Sequence, residues 1–183
     1  MDQTTIKRND SEATSNIASE SKIVSSSVME RVKTFEDACH ELGDDNILVQ
    51  HYRVYQSEMH GAIDGMKDIE AFLKLRIITA ALNEGWEPQF VLGEYRFYPW
   101  FDLYTKEELD RMDKEEREEV GEVLWGGYAS NGSRCGLVSA HSDYAWSLSY
   151  ADIGSRLAFK SAELANYAGK QFVKIYADFC FRI

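Results

Sequence analysis

The stretch GSRLAFKSAELANYAGKQF, residues 154–172, decides how this chain is read. Its opening alternates as an extended segment does and its remainder repeats apolar residues at helical spacing, which predicts a short strand running straight into a helix. Ser161 stands where an N-cap belongs, and Glu163 brings negative charge into the first turn. Leu164, Ala168, Phe172, Ile175 and Phe179 form the buried stripe of one terminal helix. Arg156, Lys160 and Ser161 gather at the junction, and a helix N-terminus flanked by cations can hold an anion. A phosphate-binding loop, however, needs a glycine-rich cradle before its Lys-Ser pair, and RLAFKS has none. Capping alone accounts for Ser161, so Arg156, Lys160 and Ser161 stand as an anion-binding candidate without a motif behind them.

Upstream of this junction the pattern is that of an antiparallel meander: VLWGGYA, the turn signal Asn131-Gly132, RCGLVSAH, YAWSLSY and SRLAF. In YAWSLSY, Tyr144, Trp146, Leu148 and Tyr150 share one face, with Ala145, Ser147 and Ser149 on the other. EYRFYPWFDL also has period two. Tyr95, Phe97, Pro99, Phe101 and Leu103 point one way and Arg96, Tyr98, Trp100 and Asp102 the other, and Pro99 marks an edge strand or a bulge. Between these strands, TKEELDRMDKEEREEVGE opens with a capping box, Thr105 with Glu108, and mixes carboxylates with Lys and Arg. That composition predicts an exposed, acidic helical excursion at 105–122.

Three further segments precede the sheet. TFEDACHELG reads as a short amphipathic helix capped by Thr34 and stopped by Gly43. Residues 44–66 fit a helix or an extended run equally. KDIEAFLKLRIITAALNEGW predicts the central core helix, with Asp68 as cap, Ile69, Phe72, Leu73, Arg76, Ile77, Ala80 and Ala81 at helical spacing, and Gly85 as stop. The expected architecture is therefore α+β: one domain over 29–183, with an antiparallel meander sheet of about 4–5 strands packed against about 3 helices.

Composition sets the outer limits. A chain of 183 residues that is 44% hydrophobic and 13% aromatic can bury one core but hardly two. Residues 1–28 are rich in Ser, Thr, Asn, Asp and Glu, which predicts a disordered tail. The formal charge of -11 disfavours direct nucleic-acid binding, because that mode neutralises phosphates with clustered Lys and Arg. Cys39, Cys135 and Cys180 form no CxxC pair and fit a reducing compartment. No apolar run has signal-peptide or bilayer-spanning length, so a membrane partner and secretion are not expected.

The segments ALNEGWEPQF, YRFYPWFDLY and SRLAFKSAELANYAGKQFVKIYADF, in this order, resemble a protein family encoded by bacteriophages and prophages of Bacteroides-type gut bacteria, the crAss-like phages among them. The resemblance spans roughly 67–103 and 123–180, outside the Ser-rich tail and the acidic insert. It implies context: a phage-encoded protein acting in the host bacterial cytoplasm or in the virion. It brings no activity, ligand or catalytic residue with it.

Reactive constellations are sparse. His141 and Asp143 fall on one side of an extended chain, a spacing open to a metal or a base with its orienting carboxylate. His40, His51 and His60 supply no second cluster, and Cys135 has no nearby base. No catalytic residue, metal or cofactor is assigned. The aromatic excess is the more pointed feature: Tyr98, Trp100, Trp125, Tyr128 and Trp146 are candidates for an exposed binding surface, the competing reading being that helices bury them. The favoured function is a non-catalytic binding or assembly module for a phage or host protein. The alternative is a small enzyme or a nucleotide- or phosphate-binding protein built on the junction at 154–163, and the sequence sets no oligomeric state.

Overall fold

The helix Lys67–Asn83 (α4) has apolar residues on almost every side, and the rest of the molecule is arranged to cover them. Leu75, Ile77, Ile78 and Leu82 are fully buried on it, so no single stripe exists. A helix apolar all round must be enclosed. The computed structural model describes residues 26–59, 66–89, 91–128, 134–146 and 155–180. The expected tail lies outside these residues up to 25; Ser27 already caps a helix, and Val28 is buried.

Three helices precede α4: Val28–Arg31 (α1), Phe35–Leu42 (α2) and Ile47–Met59 (α3). Thr34 and Asp37 close a reciprocal capping box at the start of α2, satisfying two of its free N–H groups. The segment that fitted helix or strand equally is helical over α3, where Tyr52 and Gln56 meet Glu70 of α4. Asp68 is not the cap of α4; Met66 holds that position, and Asp68 sits inside the first turn. Ile69, expected in the buried stripe, is exposed.

The sheet has three strands among the described residues, Tyr95–Thr105 (β1), Leu124–Tyr128 (β2) and Arg134–Trp146 (β3), in the order β1-β3-β2 with antiparallel neighbours. RCGLVSAH and YAW are one long strand, not two. A bulge explains why they looked separable: Trp100 pairs with His141 and Phe101 with Ser139, leaving Ala140 as the extra residue. Pro99 sits beside that bulge on an edge strand, as a residue without an N–H should. Helices Lys106–Arg111 (α5) and Lys114–Val120 (α6) connect β1 to β2, each opened by a capping box, Thr105 with Glu108 and Asp113 with Glu116.

SRLAF is not a strand either. Ser155–Leu157 form one 3-10 turn, and Phe159 makes a single bridge to Phe97 on the outer side of β1. Two helices follow, Ala162–Gln171 (α7) and Val173–Cys180 (α8), where one was expected. The break at Phe172 re-aims the stripe: Phe172 and Tyr176 are buried, while Phe179 emerges on the surface. Eight α-helices are thus present among the described residues, more than the sequence pattern predicts, because several are only one or two turns long.

A small polar clamp joins these parts. Asn83, 4% exposed at the end of α4, donates from Nδ2 to the Ala158 carbonyl at 2.8 Å and accepts the Lys160 N–H at 3.1 Å. Between those contacts the fully buried Phe159 donates its N–H to the Phe97 carbonyl at 2.8 Å and accepts the Phe97 N–H at 3.1 Å. The Lys160 ammonium adds bonds to the Asn83 carbonyl and the Glu84 carboxylate. At the other end, the Tyr167 hydroxyl donates to the Val32 carbonyl at 2.7 Å and fixes α7 to the α1–α2 link.

Two predictions follow from the clamp's burial. Asn83→Ala leaves buried backbone groups unpaired and should cost roughly 2–4 kcal/mol in urea unfolding. Lys160→Ala removes a partly exposed pair and should cost less than about 1 kcal/mol; equal costs would refute the assignment of the clamp to Asn83. The Lys160 ammonium, then Arg31, holds the Glu84 carboxyl below its ordinary value of 4.5. A lowered folded value means stability present above pH 4.5 and lost as pH falls through the folded value, so Glu84→Gln should flatten the acid limb of a stability–pH curve.

Candidate functional site: an apolar groove and a cationic cleft

β1 and α8 do not close fully against each other. Between them lies a groove of about 300 Å³ whose wall is carbon-rich: Trp100, Phe101 and Leu103 from β1, Leu157 from the turn, Tyr176 and Phe179 from α8. The bulge at Trp100 and the break at Phe172 both contribute, because each turns an aromatic side chain outward at the groove's rim. Trp100 is 49% exposed and Leu103 55%, and Phe179 is also on the surface. Large apolar side chains left in water side by side are uncommon and mark contact surfaces.

One polar atom interrupts this wall. Tyr176 packs its ring 5.0 Å from that of Phe101 and is 4% exposed, yet its hydroxyl has no hydrogen-bond partner. Burial, with a smaller push from Cys180, raises its pKa well above the ordinary phenol value, so it remains a donor. Cys180, also on the groove, has its thiol pKa pushed up by burial and is a poor nucleophile at neutral pH.

The five aromatic candidates separate. Trp100 and Trp125 are exposed, the latter on β2. Tyr98 is a correction as an exposed ring: it is 7% exposed and counts with the buried core, although it also lines the groove. Arg96, on the same face of β1, is fully buried, so that face is covered at the start of the strand and opens at Trp100. For Tyr128 and Trp146, the backbone pairs with Arg134 and Tyr95; their side chains lie outside the described residues.

The anion candidates are dispersed. Ser161 Oγ accepts the Leu164 N–H as a helix cap, and Lys160 is held by Glu84. Arg156 lies elsewhere, on a cleft of about 350 Å³ between α3, α4 and the 3-10 turn, where Arg76, Thr79, Trp86 and Glu87 also line the wall. His141 and Asp143 stand on β3, the histidine ring 6.1 Å from Trp100 and Asp143 accepting the Tyr144 N–H. The junction, the arginine and the His-Asp pair therefore occupy three places and do not surround one pocket. Among the described residues no three His, Cys, Asp or Glu side chains converge as metal ligands.

Sequence reasoning passed over Arg76 and Tyr176. Arg76 was counted in the apolar stripe of α4; a cation recurring at helical spacing among core residues was the available signal. Tyr176 carried none, because its neighbours come from β1. No family model, curated protein or solved structure matches the chain.

The division between core and rim has a measurable consequence. Tyr98→Ala should lower unfolding free energy by about 3 kcal/mol, whereas Trp100→Ala should change it by less than about 1 kcal/mol. Similar losses in urea titrations of the two variants would mean that Trp100 is structural.

Proposed function

We propose that this protein is a non-catalytic binding module, a product of the phage family it resembles, which engages a protein partner through the groove between β1 and α8. The observation that carries the reading is the exposure of Trp100, Leu103 and Phe179 around one apolar cavity. The volume suits one large hydrophobic side chain from a partner, and burying such an anchor against aromatic walls is how interface hot spots gain affinity. An acidic chain of charge -11 gains little from the phosphate backbone of a nucleic acid, so an apolar protein surface is the better match for the groove. The phage context makes the partner a virion component or a host factor.

The test uses a photo-crosslinking amino acid at Leu103 in infected cells, with the same group at exposed Ser57 on α3 as control. A single protein adduct at 103, absent at 57 and lost in a Trp100→Ala background, is expected. Cys180 alkylation, followed on its own peptide by mass spectrometry, should slow when that partner is added to the purified chain. Identical adducts at both positions, or a partner that leaves Cys180 equally reactive, would show that the groove is not the contact.

A further inference from the structure

The cleft holding Arg156 has a chemistry independent of the groove. Arg76 is half-buried on α4, and Arg156 lines the same cleft from the 3-10 turn, close enough to disfavour the charge on Arg76. Burial first, then Arg156, lowers the pKa of Arg76, although a guanidinium remains protonated at any working pH. Among the described residues neither arginine has a carboxylate within ion-pairing distance, unlike Arg31, Arg53 and Lys160, which all have one. Glu87 on the same wall is exposed and pairs with neither.

Two cations brought together in a partly dry site are unfavourable until something neutralises them. A second, independent feature lies beside them: Thr79, which lines the cleft, is 3% exposed, and among the described residues its buried hydroxyl has no hydrogen-bond partner. The lining also has an apolar part, with Leu48, Ala80, half-buried Trp86 and Pro88. Fork-shaped donors facing a common space suit the oxygens of a phosphate, and a half-buried indole suits a planar ring.

We propose that this cleft binds a small phosphorylated ligand, its phosphate between Arg76 and Arg156 and its planar body on the Trp86 side, the chemistry of a nucleoside monophosphate. The cavity of about 350 Å³ lies in the range of small-molecule sites. A long polyanion is a poorer fit, because the chain's net charge of -11 repels it beyond the two arginines.

The experiment is a titration of the full chain with adenosine monophosphate, adenosine and inorganic phosphate at low salt, read by calorimetry and thermal unfolding. Adenosine monophosphate should bind and raise the unfolding midpoint; adenosine should bind at least about tenfold more weakly, and so should inorganic phosphate. Arg156 is exposed, so its variants test the site without disturbing the core. Arg156→Gln should weaken nucleotide binding about tenfold. Arg156→Glu should abolish it and, by pairing with Arg76, raise the midpoint of the ligand-free protein. Binding that survives Arg156→Glu, or no binding of any phosphate, overturns the proposal. Equal affinity for phosphate and nucleotide overturns the role given to Trp86, and a lower ligand-free midpoint in Arg156→Glu overturns the claim of repulsion.

Discussion

Phe159 is held from two directions at once, and most of the architecture depends on that grip. Asn83 fastens the peptides on either side of it to the end of α4, while its own backbone pairs with Phe97 of β1. A segment so fixed links the central helix to the sheet and delivers the chain to the start of α7 in one orientation. Each bond is modest by itself, but leaving buried amide groups unmade is expensive, which makes the arrangement hard to distort locally. Phe159 fills the space between them with a side chain that has no exposed surface.

The same short segment explains why a tempting cluster of polar residues forms no common site. Around the fixed Phe159, successive side chains leave in different directions. Arg156 goes to the cleft beside Arg76, Leu157 to the apolar groove, and Lys160 to Glu84. Ser161 then turns back on α7 as its cap. Adjacent letters in a sequence imply a shared site only where the backbone curls around a centre, as a glycine-rich loop does. Here the backbone passes from a 3-10 turn into a segment pinned at Phe159, so three neighbours serve three surfaces.

What could be read in the sequence was whatever is decided within a few residues. The caps of Thr34, Thr105 and Ser161 rest on contacts three residues apart, and all are present. The mixed α and β content and the antiparallel sheet follow from periodicity that neighbours along the chain impose. Longer contacts were invisible. Tyr98 alternates with the core row yet is buried, because cover arrives from elsewhere in the fold. The break at Phe172 interrupts no apolar period, so one helix and two read alike. The groove was half legible: Trp100 stood out as a ring, but its companions Leu157 and Phe179 come from segments more than fifty residues away. Arg76 was hidden by its own good spacing.

Charge is distributed in a way that gives the two recesses different tastes. The acidic residues of α5 and α6 are exposed, capped and partly paired, as in Lys106 with Asp110, so they act as a solvated flank. The cations Arg76 and Arg96 lie further inward, half-buried and fully buried. At physiological salt the field of the acidic flank fades over about 8 Å, so it disfavours an extended polyanion without closing the cleft to a small one. The apolar groove depends on no charge at all; its contribution comes from area removed from water at about 25 cal/mol per Å². A chain can then combine a contact surface that is insensitive to salt with a recess that is sensitive to it. Leu157 and Arg156 are consecutive residues, so any shift in the turn that carries them would be felt in both places.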